Sequence, residues 1–327
     1  MSKLRLETAQ ISSPLRAAFV LSRGAKTHAE AIRVTLTDGP HAGRGEAVPY
    51  ARYGETPASV LATIDSVRGE IESGLTREAL QSRLPAGAAR CALDCALWDL
   101  EAKRTGTPVW KLAGLPEPKP VDTAVTITLD TPETMATAAK SAPGTLLKLK
   151  LGGPEDMDRL QAVHTARPDA RLIADANEAL APDAWPALAK AATSLGVVLI
   201  EQPFPAGKDS LLMKRPGPVA VCADESAHTS ADIQTLAKSY DAVNVKLDKA
   251  GGFTEALAMI RAARQSGMGV MIGCMVAGSL SMAPAALLAS LADAADLDGP
   301  LWLTEDIPHA LTWTGATLAP PTPALWG

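Results

Sequence analysis

Apolar and polar positions alternate along residues 3–11 and 29–37, and Asp38-Gly39 supplies a turn before Gly43-Arg44-Gly45-Glu46-Ala47-Val48-Pro49. The chain therefore opens with a small antiparallel sheet. The period turns helical after Thr56-Pro57, with a proline at the first helical position and a glycine stop at Gly74. A second helix is predicted over 86–104, where Ala88, Cys91, Ala92, Cys95, Leu97, Trp98 and Leu100 make a wide apolar stripe that ends near Gly106 and Pro108. Residues 1–115 thus read as an α+β unit, followed by the proline-punctuated link Glu117-Pro118-Lys119-Pro120.

From residue 116 to 327 the pattern becomes a regular alternation of strand and helix. Strands are predicted at 121–128, 146–151, 171–176, 197–202, 219–225, 242–248 and 269–274, with a short last one ending near 298. Helical segments separate nearly all of them at the spacing of successive βα units, and eight parallel strands favour a closed barrel over an open sheet. No glycine-rich phosphate fingerprint follows any strand, which weakens a dinucleotide-binding reading.

Composition removes several partner classes. A net charge of -5 over 327 residues gives no footprint for nucleic acid or an anionic membrane. The amino terminus carries no apolar signal region, and no run approaches a membrane span, so the expected compartment is the cytoplasm. Cys91, Cys95, Cys222 and Cys274 match neither a disulfide framework nor a zinc site and read as buried thiols.

Chemistry begins in Leu146-Leu147-Lys148-Leu149-Lys150-Leu151, two lysines one residue apart in an aliphatic strand. Alternation puts both on one face, about 6 to 7 Å apart, and mutual repulsion is expected to lower a lysine pKa toward the range of a usable base. Three acids follow apolar strands at equivalent offsets: Asp175 in Leu172-Ile173-Ala174-Asp175, Glu201 in Val198-Leu199-Ile200-Glu201, and Asp224 in Cys222-Ala223-Asp224. Closing the barrel brings them together at the carboxyl ends of the strands. Three converging carboxylates call for a divalent cation, and an all-oxygen set suits Mg²⁺ or Mn²⁺ better than zinc. Lys246 follows on strand six, opposite strand two, sharing a face with Asn244 and Asp248, while Lys249 falls beyond the strand end. Lysines on either side of a chelated carboxylate can remove and return an α-proton. Lys148 tunes Lys150 or helps hold the carboxylate, and Glu225, on the opposite face from Asp224, supports rather than ligates.

Lys148-Leu149-Lys150, Asp175 with Asn177, Glu201-Gln202-Pro203, Asp224-Glu225-Ser226 and Asn244-Val245-Lys246 before Gly251-Gly252 together resemble the muconate-lactonizing subgroup of the enolase superfamily. Ala92-Leu93-Asp94-Cys95-Ala96-Leu97-Trp98-Asp99-Leu100 with Gly106-Thr107-Pro108-Val109 is similar to the helix of that family's capping domain. The resemblance implies a modified TIM barrel, (β/α)7β, at 116–327 whose last segment returns toward an α+β cap at 1–115. It also implies Mg²⁺ on Asp175, Glu201 and Asp224, with Lys150 and Lys246 as the acid/base pair.

Within the subgroup, Asp296-Leu297-Asp298 at the last strand resembles the Asp-x-Asp feature that binds a free ammonium group in dipeptide epimerases, although Asp293 leaves the register open. Phe19-Val20-Leu21-Ser22-Arg23-Gly24 resembles a mobile cover loop, with Arg23 placed to pair with an acidic side chain, and Pro49-Tyr50-Ala51-Arg52-Tyr53-Gly54 resembles a second. Thr126, Thr128, Cys274 and Met275 are expected either to line the pocket or to pack in the core. The expected activity is inversion of a dipeptide's C-terminal α-carbon, with L-Ala-D/L-Glu favoured and a place in cell-wall peptide recycling. Cycloisomerase, o-succinylbenzoate synthase and N-acylamino acid racemase chemistry use the same site and stay open, as does a non-catalytic binding barrel. Homo-oligomers are common in the family, but no interface signal stands out in this chain.

Overall fold

The computed structural model describes residues 4–213 and 216–327. Strands β1 (Arg5–Leu21) and β2 (Gly24–Asp38) form a long hairpin turned by Ser22 and Arg23, and β3 (His41–Ala47) pairs antiparallel with β2. Both hairpin strands run well beyond the predicted limits; position 3 lies outside the described residues. Their distal halves lack clean alternation because they leave the cap's own core and reach across the barrel, where Leu15 bridges Leu303 and Val20 O accepts from Leu129 N at 3.1 Å.

The helix expected from Thr56 to Gly74 is broken. Helix α1 (Pro57–Ser66) ends at Val67 and a separate turn, Arg68–Glu72, follows. Ser66, β-branched Val67 and Gly69 are weak helix formers in succession, and burial of Val67 fixes the bend. A short helix at Arg77–Arg83 also forms, which the apolar pattern did not signal. Helix α2 (Ala88–Thr105) lies directly on β3. Gly43 and Gly45 allow this: a Cβ at either would collide with the backbone of α2 at Ala96 or Ala92.

Eight parallel strands follow: β4 (Val125–Ile127), β5 (Leu146–Lys150), β6 (Arg171–Asp175), β7 (Val197–Glu201), β8 (Ala220–Ala223), β9 (Ala242–Val245), β10 (Gly269–Gly273) and β11 (Ala294–Asp296). They pair in sequence order, and the ring closes where Thr123 bridges Ala295 and Ala124 N donates to Ala295 O at 2.7 Å. Helices α3 (Pro132–Ser141), α4 (Asp156–Ala166), α5 (Trp185–Ala192), α6 (Phe253–Gln265) and α7 (Ser279–Leu288) cover the outside. Between β7 and β8 the described residues form only a 3-10 turn, Asp209–Met213. The result is a modified TIM barrel with an N-terminal α+β cap. Among the described residues no helix is long and apolar enough to cross a membrane.

The cap is locked to the barrel through one face of α2. Arg90, Asp94 and Trp98, four residues apart, all meet the segment that enters α6. Arg90 donates to Ala250 O at 2.6 Å and to Gly251 O at 3.2 Å. Asp94 accepts from Thr254 N at 2.9 Å, Thr254 Oγ1 at 2.7 Å and Gln81 Nε2 at 2.9 Å. Trp98 Nε1 donates to Thr254 Oγ1 at 2.9 Å, and its ring meets Phe253 edge-on at 5.1 Å. Gly252, at φ +118°, has no room for a Cβ beside Asp94. The final residues also bind the cap, with Trp326 Nε1 donating to Cys95 O at 3.0 Å and Gly327 N to Asp99 Oδ1 at 2.7 Å.

Burial pushes the Asp94 carboxyl up to about 6, against the pull of its Thr254 donors. A folded-state pKa above the unfolded one adds stability that is complete below about pH 4 and lost as pH rises through about 6. Asp94→Asn cannot titrate. The stability advantage of the wild type over this variant should therefore shrink by up to roughly 3 kcal/mol between pH 4 and pH 7 in urea unfolding; a pH-independent difference would contradict the assignment.

Candidate active site

The carboxyl ends of the barrel strands hold a dense group of buried charges. In the β6–β7 register Asp175 stands beside Glu201, and Asp224 follows one residue past the end of β8. Glu201 is fully buried, as is Asp175, and Asp224 is 2% exposed, so each needs a positive partner. Lysines supply it. Lys150 Nζ lies 2.6 Å from Asp175 Oδ2, Lys246 Nζ 2.7 Å from Asp224 Oδ2, and Lys148 Nζ 2.7 Å from Glu201 Oε2, 3.1 Å from Asp175 Oδ2 and 2.6 Å from Asp296 Oδ2.

These neighbours invert the expected lysine chemistry. Burial disfavours the Lys148 ammonium, but the carboxylates of Asp296, Glu201 and Asp175 outweigh it and hold its pKa well above the ordinary value. The Lys246 ammonium is likewise raised, Asp224 overcoming burial and the repulsion of Lys148. For Lys148 the repulsion of neighbouring lysines is outvoted because its Nζ lies among three carboxylates, those of Asp175, Glu201 and Asp296. Glu201 goes the other way: burial, then the charge of Asp175, pushes it up to about 8. Asp224 falls well below the carboxylate range because Lys246 and Lys249 together prevail over its burial.

Whether these residues suit a cation can be judged from their acceptors. The donor set is all oxygen, and Glu201 Oε2, though close to Lys148, has no aligned hydrogen bond. Asn244 Oδ1 and Asn177 Oδ1 are also buried without partners. Among the described residues no three acid, histidine or cysteine donors converge on one point, because the ammonium groups stand between the carboxylates. The donor chemistry therefore fits a hard dication on Asp175, Glu201 and Asp224 once those ammonium groups give way.

The surrounding residues follow the sequence reading with two corrections. Asn244 Nδ2 donates to Glu201 Oε1 at 2.7 Å, and Asn177 N donates to Asp175 Oδ1 at 3.0 Å. Glu225 does not face away from Asp224. Strand β8 ends at Ala223, alternation lapses, and both acids line the same cavity, with Glu225 Oε1 accepting from Asn177 Nδ2 at 3.2 Å. Asp248 does not share a face with Lys246 either. Strand β9 ends at Val245 and a helical turn, Leu247–Ala250, swings Asp248 toward the cap, where it accepts from Val48 N at 2.7 Å.

The same turn produces a residue that the sequence reading left outside the site. Lys249 is buried, lies 2.5 Å from Asp224 Oδ1, and also donates to Asp224 O. The Gly251-Gly252 pair was the available signal: a helical turn stopped by a left-handed glycine carries a side chain three residues past Lys246 back over the strand end.

At the last strand, Asp296 and Asp298 both line the cavity. Asp296 Oδ1 is buried and unpartnered, whereas Asp298 Oδ2 accepts from Thr126 N at 2.7 Å and from Trp302 Nε1 at 3.3 Å. Burial and the neighbouring Asp296 charge raise Asp298 to about 6. Asp293 sits at the far end of the strand, paired with Arg264 at 2.7 Å. Thr126, Cys274 and Met275 line the cavity and Thr128 does not.

The hairpin tip forms the roof. Phe19 packs edge-on against Trp302 at 4.9 Å, with Lys150 Nζ 5.9 Å from its ring centre. Arg23 donates to Glu225 Oε1 at 2.8 Å, Asn177 O at 2.9 Å and Tyr50 Oη at 3.2 Å, and lies 3.3 Å from Glu178. Arg52 grips both oxygens of Glu178 at 2.7 Å each. Glu178, at φ 70°, thus clasps both cover segments, a role with no sequence signal.

The family can now be stated. Residues 5–114 match the mandelate racemase / muconate lactonizing enzyme N-terminal domain, and residues 133–323 the enolase C-terminal domain-like family. The chain belongs to this family. It is 45% identical to the L-Ala-D/L-Glu epimerase of Escherichia coli over 308 residues, 93% of this chain and 96% of that one. It is also 41% identical to an N-acetyl-D-glutamate racemase of a Pseudoalteromonas species, covering 90% and 95% of the two chains. Among solved structures, an Agrobacterium tumefaciens enolase family member with homology to dipeptide epimerases, bound to sodium and L-Ala-L-Glu, superposes with a TM-score of 0.96 at 45% identity over 99% and 100% of the chains. The Enterococcus faecalis dipeptide epimerase complexed with Mg and L-Leu-L-Tyr gives 0.90 at 28% identity over 98% and 97%.

Lys249→Met leaves Asp224, among the described residues, with Lys246 as its remaining ammonium partner. Because the cation that lowers the proton affinity of Asp224 also opposes a dication there, the expected result is at least about a tenfold gain of Mg²⁺ affinity by calorimetry with circular dichroism unchanged, and Lys249→Arg, which keeps the charge, staying near wild type; unchanged affinity would return Lys249 to a packing role.

Proposed function

We propose that this protein is a Mg²⁺-dependent dipeptide epimerase that inverts the α-carbon of the C-terminal residue, with L-Ala-D/L-Glu as the favoured pair. The observation that carries the reading is one cavity containing Lys150 and Lys246, from the second and sixth barrel strands, together with the buried Asp296/Asp298 pair. Two bases on opposite sides permit proton transfer in both directions, and two acids with an unshared oxygen suit a free ammonium group.

Asp175, Glu201 and Asp224 would hold the ion, which supplies positive charge to the substrate carboxylate as the α-proton leaves. One lysine takes that proton and the other delivers one to the opposite face, so the stereocentre inverts without any bond but C–H being broken. Lys148 holds the carboxylate end, and Asn177, Glu225 and Asn244 orient the acids. The Phe19–Trp302 roof excludes water, which strengthens each of these interactions. We also propose that residues 1–115 act as the cap and 116–327 as the barrel, and that the enzyme works in the cytoplasm on a small-molecule dipeptide. Cell-wall peptide recycling fits that substrate.

A second reading has its own support. The 41% identical N-acetyl-D-glutamate racemase raises an N-acylated substrate, which carries no ammonium group for Asp296 and Asp298.

The deciding measurement is proton NMR of L-Ala-L-Glu, N-acetyl-L-glutamate and neutral dipeptides with enzyme and Mg²⁺ in D₂O. Loss of the glutamate α-proton with appearance of L-Ala-D-Glu is expected; exchange confined to N-acetyl-glutamate would move the assignment to the second reading. Lys150→Met and Lys246→Met should each reduce epimerisation by about 10² to 10⁴. Each should also retain α-proton exchange in one diastereomer only, opposite ones for the two variants. Retained exchange in the same diastereomer would rule out bases on opposite faces.

A further inference from the structure

Arg23 is the obvious cation for an acidic substrate side chain, yet in this structure it is already committed. Its guanidinium serves Glu225 Oε1, Asn177 O and Tyr50 Oη and lies within 3.3 Å of Glu178. Pulling it away would strand Glu225, which is 2% exposed, has one oxygen without any partner, and would keep only Asn177 Nδ2 on the other. Leaving the buried carboxylate short of its cation in this way is expensive.

A second cation stands on the same roof. Lys26 pairs directly across the hairpin from Phe19, and cross-strand partners project from the same face of a sheet. Phe19 faces the barrel mouth, so Lys26 does too, and both line the cavity. Among the described residues Lys26 makes neither an ion pair nor a hydrogen bond; its ammonium rests over the Tyr50 ring, 4.8 Å from the centre. At the rim Arg23 is paired with Glu178 and Glu225, and Arg52 with Glu178. Lys26 is the cation there that makes no ion pair among the described residues.

We infer that Lys26 recognises the side-chain carboxylate of an acidic C-terminal residue, with Arg23 acting mainly to hold the roof on the barrel. This rests on the epimerase reading above and adds the residue that selects acidic over neutral dipeptides. The stacked ammonium is poised to swing: leaving the Tyr50 face gives up only a cation–π contact, whereas Arg23 would give up its ion pair with the buried Glu225 carboxylate.

The experiment compares wild type, Lys26→Gln and Lys26→Arg on L-Ala-L-Glu and its neutral isostere L-Ala-L-Gln. The readout is the ratio of kcat/KM for acid over amide, at low and high salt. Lys26→Gln should lower that ratio about tenfold or more, mainly through KM for the acid, and weaken its salt dependence, while Lys26→Arg restores both. An unchanged ratio in Lys26→Gln, with wild type active on L-Ala-L-Glu, would overturn the Lys26 assignment alone. Wild type inactive on both dipeptides would overturn the epimerase reading and this inference with it.

Discussion

Everything at the barrel mouth depends on compensating buried charge. Lys148, Lys150, Lys246 and Lys249 enter a space that already holds Asp175, Glu201, Asp224 and Asp296, nearly all of it closed to solvent. None of these groups could be buried ionised alone. Their mutual satisfaction fixes where each strand end stops and which way each side chain points, and it explains why a mostly aliphatic barrel tolerates four lysines in its interior. The arrangement is also reactive, because moving one charge alters the proton affinity of all the others.

Polar support radiates outward from that centre. Gln202, fully buried at φ 34°, accepts from Asp224 N and Ser226 N and donates to Phe204 O, Ser226 and Tyr240. One side chain thereby ties the turn after β7 to the turn after β8. Such a fully satisfied polar network costs little in stability and leaves few alternative positions for the acids.

Much of this was legible in the sequence because the barrel writes its chemistry in register. An apolar strand that stops at a carboxylate, repeated at Asp175, Glu201 and Asp224, states both the fold and the location of the site. The parts that were not legible depend on departures from alternation or on contacts remote in sequence. Glu225 and Asp248 were misread because β8 and β9 end two and three residues before the pattern does, and Lys249 was missed with them. The Arg52–Glu178 clasp joins residues 126 positions apart and has no periodic signature at all. The proton affinity of Lys148 departs from the pattern for a different reason: spacing along one strand reveals the nearest like charge but not the acids contributed by other strands.

The hairpin is held very differently at its two ends. Its base belongs to a sheet packed on α2, which is bonded through Arg90 and Asp94 to the segment just after Lys246; its distal half meets the barrel through side chains and scattered backbone contacts at Pro14, Leu15 and Val20. Drift at the base would disturb a base of the reaction. At the tip the consequences differ residue by residue: Lys26, without an ion pair among the described residues, can be exchanged to change which molecules are accepted, whereas Arg23 holds the buried Glu225 beneath it and Phe19 lies over Lys150, so a change at either reaches the reacting groups.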